Sequence, residues 1–134
     1  MVRVNIISPK KLSDQHLVAE YLEIMMLVGY VRDYPSLENI PEGYCLGKGH
    51  IRFFKNKLGY LKKRHELLKK EMKNRGFATN KSLDLKEFSK EHMNDWKSSK
   101  KDEEIIKKRI TEKIKMKPDF YRYYGEYKGE EFLI

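Results

Sequence analysis

Ser13-Asp14-Gln15-His16-Leu17-Val18-Ala19-Glu20-Tyr21-Leu22-Glu23-Ile24-Met25-Met26-Leu27-Val28-Gly29-Tyr30-Val31 is the stretch that sets the fold. Ser13 is a predicted N-cap, and Asp14 in the first turn suits the helix dipole. Leu12 before the cap and Leu17 within the helix have hydrophobic-staple spacing. Leu17, Tyr21, Ile24, Val28 and Val31 recur at helical intervals, which predicts a helix from about Asp14 to Tyr30 or a little beyond. From Leu22 to Val31 the run is almost wholly apolar, so this helix should be buried on most sides. Glu23 is the one charge inside that run, and partial desolvation raises a carboxyl pKa unless a cation is near. His16, Glu20 and Glu23 follow i, i+4, i+7 and share one side. Spacing alone favours a solvated stripe with one carboxylate in a salt bridge; the sharper reading is a reactive site.

Outward from this helix, residues 1–11 read as a short extended arm with Ser8-Pro9 before the cap. Asp33 to Gly43 is a loop broken by Pro35 and Pro41. Gly47-Lys48-Gly49-His50 leads into a second helix. Ile51, Phe54, Leu58, Leu61, His65, Leu68 and Met72 predict it as one continuous helix that stops at Gly76. Its other faces carry Lys55, Lys62, Lys63, Lys69, Lys70 and Lys73, which either grip phosphates or, the better reading from charge alone, are solvated. Residues 78–101 are polar and weakly patterned. Asp84-Leu85-Lys86-Glu87 resembles a capping box and predicts a short helix through Phe88. A last long helix should run from near Asp102 to before Pro118, with Ile106, Ile110 and Ile114 on its apolar side. Arg109 and Lys113, four apart, share another side and can straddle a phosphate. The tail from Phe120 to Tyr127 is densely aromatic, a base-stacking platform or core and lid packing. No alternating pattern is long enough for a sheet. The expected fold is all-α: one compact domain over residues 1–134 with three main helices, an extended N-terminal arm and an aromatic C-terminal tail.

Composition narrows the partners. A chain of 134 residues is one domain, and 29 basic against 20 acidic residues leave a net charge of +9. Such a charge points to a polyanion, nucleic acid first and an anionic membrane surface second; bare solubility is the bland alternative. Cys45 alone excludes an intrachain disulfide and suggests an intracellular chain. No apolar run reaches the roughly 18 residues of a membrane span, and the start lacks a signal peptide's apolar region. His16, His50, His65 and His92 are scattered without zinc-ligand spacing. Gly47-Lys48-Gly49 is too short for a nucleotide loop, and no Ser/His/Asp set can be assembled. Two reactive candidates remain: Glu23, and the chain's own α-amino group, whose reference pKa of about 7.7–8.0 leaves a neutral fraction near pH 7.

Asp14-Gln15-His16-Leu17-Val18-Ala19-Glu20-Tyr21-Leu22-Glu23 resembles the first-helix signature of the phage endonuclease V family, pyrimidine-dimer DNA glycosylases with an associated AP-lyase activity. Similar runs are Arg3-Val4-Asn5, Leu46-Gly47-Lys48-Gly49-His50, Phe53-Phe54, Lys63-Arg64, Arg75-Gly76-Phe77, Lys113-Ile114 and Tyr121-Arg122-Tyr123-Tyr124-Gly125. The resemblance implies an all-α monomer that needs no metal or organic cofactor and acts on damaged double-stranded DNA. It places the protein inside a bacterium or a virus-infected host, in cytoplasm or nucleoid. It implies that Val2, after removal of Met1, carries the nucleophilic amine and that Glu23 is the essential carboxylate. It implies that Arg3, Gln15, His16, Lys48, Arg109, Lys113, Tyr121 and Arg122 approach the DNA. Val2 stands where the family has threonine, and Leu22 and Met26 stand where the phage enzyme has arginines. These departures keep other readings open: an AP lyase, a glycosylase for another damaged base, or a non-catalytic DNA-binding relative.

Overall fold

The computed structural model describes residues 2–126; Met1 and Tyr127, which enter the reading above, lie outside them. The described chain is helical, without strands: α1 (Asp14–Asp33), α2 (His50–Phe54), α3 (Leu58–Asn74) and α4 (Lys100–Met116), with single 3-10 turns at Pro9–Lys11, Gly47–Gly49 and Lys90–His92. The all-α expectation holds. Ser13 caps α1 by accepting the His16 N–H at 3.0 Å, and Leu12 and Leu17 are both fully buried, as a staple requires. Leu17, Tyr21, Ile24, Leu27, Val28 and Val31 then face Leu58, Leu61, Leu68 and Met72 of α3 in one apolar core. α4 begins at Lys100, two residues before the expected Asp102. Ser99 is its N-cap, and Asp102 closes a capping box with it, which moves Asp102 from first residue to third. Ile106, Ile110 and Ile114 turn inward as expected.

Three expectations fail for long-range reasons. The second helix is not continuous; it breaks at residues 55–57 into α2 and α3. The segment around Asn94 fills the break. The Asn94 N–H and Nδ2 both donate to the Asn56 carbonyl, and the Tyr60 N–H donates to Asn94 O. Gly59 admits this approach, since a Cβ there would lie 2.5 Å from Met93 O. Next in the same segment, Trp96 packs among Tyr44, Phe53, Phe54 and Tyr60 with ring centroids 5.1–6.0 Å away. Asp84 caps no helix. Its Oδ1 accepts the Lys86 N–H in a turn, while Leu83 and Leu85 are drawn into the core. Lys55 is not on a solvated face; it is buried with its Nζ over the Tyr30 ring.

The polar stripe of α1 is likewise not solvated. His16 and Glu20 are buried, and Glu20 is the carboxylate in the salt bridge. Arg64 Nε and Nη2 donate to its two oxygens at 2.7 and 2.9 Å, while Arg64 Nη1 donates to Ile7 O. One guanidinium therefore ties α3 to α1 and to the N-terminal arm. The C-terminal segment is tied to the start of α1. Asp14 accepts the N–H groups of Tyr124 and Gly125 at 3.0 and 2.9 Å, in a turn where both residues have positive φ. The Gln15 amide donates to Phe120 O and accepts from the Arg122 N–H. Glu20→Gln should remove the charge that Arg64 needs in its buried position and lower stability by about 3–5 kcal/mol in urea denaturation. A loss below about 1 kcal/mol would mean that the Ile7 carbonyl alone satisfies the guanidinium.

Candidate active site

The arm leading to α1 is held residue by residue. The Val4 N–H donates to His50 Nε2 at 2.8 Å, and the Tyr44 hydroxyl donates to Val4 O at 3.0 Å. His50 Nδ1 faces Cys45 O at 2.9 Å, which assigns the ring proton to Nδ1. Burial pushes the His50 pKa down and favours this neutral acceptor form. The arm then bends at Ile6, which takes φ +46° while the Ile7 N–H closes onto Asn5 O. That conformation is strained for a β-branched residue, and burial of Val4, Ile6 and Ile7 holds it in place.

Directly before Val4, the Arg3 N–H donates to Glu23 Oε1 at 2.9 Å. This bond brings the start of the chain onto the one acidic position of the apolar run. Burial raises the Glu23 pKa; the Arg3 N–H bond and the Arg3 guanidinium oppose the rise, and nearby Glu20 adds to it. Glu23 lines a cleft of about 270 Å³ together with Arg3, Asn5, His16, Glu20, Lys113 and Tyr121. A second hollow of about 520 Å³ is lined by Val2, Arg3, His50, Ile51 and Arg109 among others. Arg3 is common to both, so Val2 and Glu23 face adjoining spaces across one side chain. Burial, followed by the neighbouring Arg109, lowers the Arg3 pKa.

His16 stacks on Tyr121 with ring centroids 4.6 Å apart and planes within 4°, and its Nδ1 lies 2.7 Å from Ser13 Oγ. Burial, with Arg3 and Lys113 nearby, pushes its pKa down to about 4. The ring is therefore neutral at pH 7 and serves as a hydrogen-bonding group, not a cation.

Of the residues singled out from sequence, Val2, Arg3, His16, Glu23, Arg109, Lys113 and Tyr121 converge on these two spaces. Lys48 stands exposed in the turn that follows Leu46, outside both linings. Gln15 and Arg122 hold each other through the Arg122 N–H and lie beside the cleft, not in its lining. Sequence reasoning missed Asn5. It is buried, lines the cleft, and its Oδ1 has no hydrogen-bond partner among the described residues. The available signal was an amide inside the apolar run Val4-Asn5-Ile6-Ile7, where a polar side chain needs a reason.

A family model described as pyrimidine dimer DNA glycosylase matches residues 1–85. The chain belongs to that family. It is thus a DNA-repair glycosylase with DNA as its substrate. The match takes in Val2, Arg3, Asn5, Gln15, His16, Glu23 and Lys48. Arg109, Lys113, Tyr121 and Arg122 lie beyond it, and their association with the site rests on geometry. Among the described residues no helix is long and apolar enough to cross a membrane, and no group of His, Cys, Asp and Glu is placed to hold a metal.

The depressed His16 pKa has a sign that can be checked. The unfolded ring takes up its proton near pH 6.5, whereas the folded ring resists until about 4. Stability from the neutral buried ring is therefore complete above pH 6.5 and is lost as pH falls towards 4, by roughly 3 kcal/mol at 1.36 kcal/mol per pH unit. His16→Phe keeps an aromatic ring and abolishes the titration. Urea denaturation at pH 7 and at pH 4 should show a drop smaller by about that amount in the variant. An equal drop in both proteins would show that the folded ring takes up its proton freely.

Proposed function

We propose that the α-amino group of Val2, freed by removal of Met1, is the nucleophile of the glycosylase and that Glu23 is its partner carboxylate. The observation that carries this reading is the 2.9 Å bond from the Arg3 N–H to Glu23, which leaves the nitrogen of residue 2 one residue from the carboxylate. The neutral amine attacks C1′ of the damaged nucleotide; a C–N bond forms and the glycosidic bond breaks with its electron pair on the departing base. The sugar ring opens to give an imine between residue 2 and C1′. Removal of a C2′ proton then expels the 3′ phosphate by β-elimination and cuts the strand. Ionised Glu23 stabilises the positive charge that develops on the sugar, and its raised pKa suits it to exchange protons in the lyase step. Arg3, Arg109 and Lys113 hold the flanking phosphates, and neutral His16 with Tyr121 forms the wall against which the sugar or base rests.

A second reading draws on Leu22 and Met26. Both are exposed apolar side chains, Met26 beside Glu23 on the helix and Leu22 about 100° round from it, and neither can make charge-assisted contacts to a dimer. In this reading the same amine chemistry serves abasic sites or another damaged base. A side-by-side assay of Met1-free protein with borohydride separates the two, using one duplex with a cis-syn thymine dimer and one with an abasic site. Trapping and cleavage on both support the first reading. Cleavage of the abasic duplex alone supports the second, and binding without trapping on either removes the imine chemistry altogether.

Glu23→Gln separates charge from shape. Binding should persist, while cleavage should fall by more than about tenfold, or 1.36 kcal/mol of barrier. Because the folded state raises the Glu23 pKa, the ionised form opposes folding at pH 7 and its removal should raise the melting temperature slightly. Solvent screening of this half-exposed group keeps the gain below about 1 kcal/mol. A fully active Gln variant, or one that melts well below wild type, would remove Glu23 from this role.

A further inference from the structure

His50, the first residue of α2, is buried, and its ring closes on the arm 46 residues away. Nε2 accepts the Val4 N–H at 2.8 Å, and Nδ1 stands 2.9 Å from Cys45 O. One nitrogen accepts and the other donates, so only the neutral Nδ1–H tautomer satisfies both contacts. The loop before α2 is shaped for this. A Cβ on Gly49 would lie 2.7 Å from Cys45 Sγ and 3.2 Å from Pro41 Cγ, so the turn that brings Cys45 O to the ring has no room for a side chain at 49. Tyr44 reaches the same arm residue. Its hydroxyl donates to Val4 O at 3.0 Å, and its ring meets His50 edge-on, with centroids 5.5 Å apart and planes at 75°. Fully buried Val4 is thereby held at both its N–H and its carbonyl.

We infer that His50, backed by Tyr44, is a positioning residue for the N-terminal amine: it anchors the arm from α2 at Val4, as Glu23 anchors it from α1 at Arg3. The inference rests on the reading that residue 2 carries the nucleophile, and it names what aims that group. With the plane of the Val2–Arg3 peptide held, one torsion, ψ of Val2, separates the amine from anchored backbone. A single hydrogen bond from the Arg3 N–H leaves that plane free to swing about the bond. The second bond, one residue further on, removes the swing. Without it the carboxylate contact alone would hold the arm, and a misplacement of about 1 Å costs an attacking group up to about a hundredfold in rate. His50 and Val2 line the same hollow, so the ring acts close to the amine. Both ring nitrogens are already taken, which leaves none to offer a substrate and makes the role one of positioning.

The test uses the full chain freed of Met1 and a duplex with an abasic site, which both readings of the activity expect to be cleaved. Two variants divide the functions of the ring. In His50→Gln the amide reaches the place of Nε2 and accepts the Val4 N–H. In His50→Asn the amide stops near the place of Nδ1, keeps the bond to Cys45 O and leaves the Val4 N–H without an acceptor. Single-turnover borohydride trapping at saturating DNA should slow by at least about tenfold in His50→Asn and by less than about threefold in His50→Gln. The dissociation constant of the duplex should stay within about twofold of wild type in both, since the change is in aim and not in grip. Hydrogen exchange at the Val4 amide should be slow in wild type and His50→Gln and fast in His50→Asn. Tyr44→Phe keeps the ring, removes only the hydroxyl, and serves where His50→Asn does not fold; it should trap at least about threefold more slowly at equal affinity. Trapping at the wild-type rate by His50→Asn, or by Tyr44→Phe in its place, overturns the inference. So does an equal loss in His50→Gln and His50→Asn, or a loss that appears only as weaker DNA binding. A wild-type protein that traps no DNA overturns the amine reading instead. Val4 exchange equally slow in wild type and His50→Asn overturns the anchor itself, whatever the chemistry.

Discussion

One buried guanidinium organises this protein. Arg64 is enclosed between α3, α1 and the N-terminal arm, with Glu20 taking two of its nitrogens and Ile7 O a third. A buried ion pair adds little net stability compared with apolar packing, but an ill-matched one is severely destabilising. That asymmetry makes the pair a register device. Glu20 meets Arg64 only when α1 and α3 pack at the observed height and the arm passes over both. Glu23 is three residues from Glu20 on the same side of α1, so the pair also fixes where the Glu23 carboxylate points. Two acidic residues one turn apart thereby differ in environment. Glu20 is fully buried against a cation, and Glu23 is half-buried against a backbone N–H with its pKa raised.

The arm carries the same logic to the amine. Chain ends usually fray because their backbone groups find partners only in water. Here Arg3, Val4 and Ile7 each have a backbone group bound to a side chain of a helix or its approach: Glu23, His50 with Tyr44, and Arg64. The arm can therefore sustain the bend at Ile6, an uncommon conformation for a β-branched residue. The N-terminal nucleophile proposed above would require such positioning. Its nitrogen has no side-chain rotamer to aim it, so backbone hydrogen bonds must do the aiming.

Much of this was legible before any coordinates. Ser13, Leu12 and Leu17 announce the start of α1 because capping and stapling are local. The core positions of α1, α3 and α4 follow from a 3.6-residue period. Arg3, His16, Glu23, Arg109, Lys113 and Tyr121, singled out chiefly through the resemblance of the first helix and the tail, lie around the two adjoining spaces. What escaped depends on contacts distant in sequence. Nothing near residues 55–57 shows that Met93 and Asn94 will pair with Lys57 and Asn56 across the break, apart from the permissive Gly59. The i, i+4, i+7 stripe gives the geometry of His16, Glu20 and Glu23 but not which acid Arg64 will claim. Asp14 and Gln15 read as helix-start and DNA-facing residues, yet their side chains bind the backbone of residues 120–125.

Several of the places where local rules are broken lie in or next to the two adjoining spaces, while Asn39 and Tyr124 take positive φ outside their linings. Ile6 is in a left-handed conformation, Asn5 buries an unpaired carbonyl oxygen, and His16 is kept neutral by enclosure beside cations. Glu23 is partly desolvated without a bidentate partner. The Ile6 conformation and the unpaired Asn5 oxygen each oppose folding by an amount of order 1–3 kcal/mol, and a chain this size has few such amounts to spare. The compensation lies elsewhere, in the aromatic cluster around Trp96 and in a core fully enclosed from Leu12 to Ile110. Sequences satisfy local preferences nearly everywhere and violate them where function requires it. Strain and desolvation on one arm and one face of α1, with stabilising contacts placed away from them, fit the preorganised site proposed above.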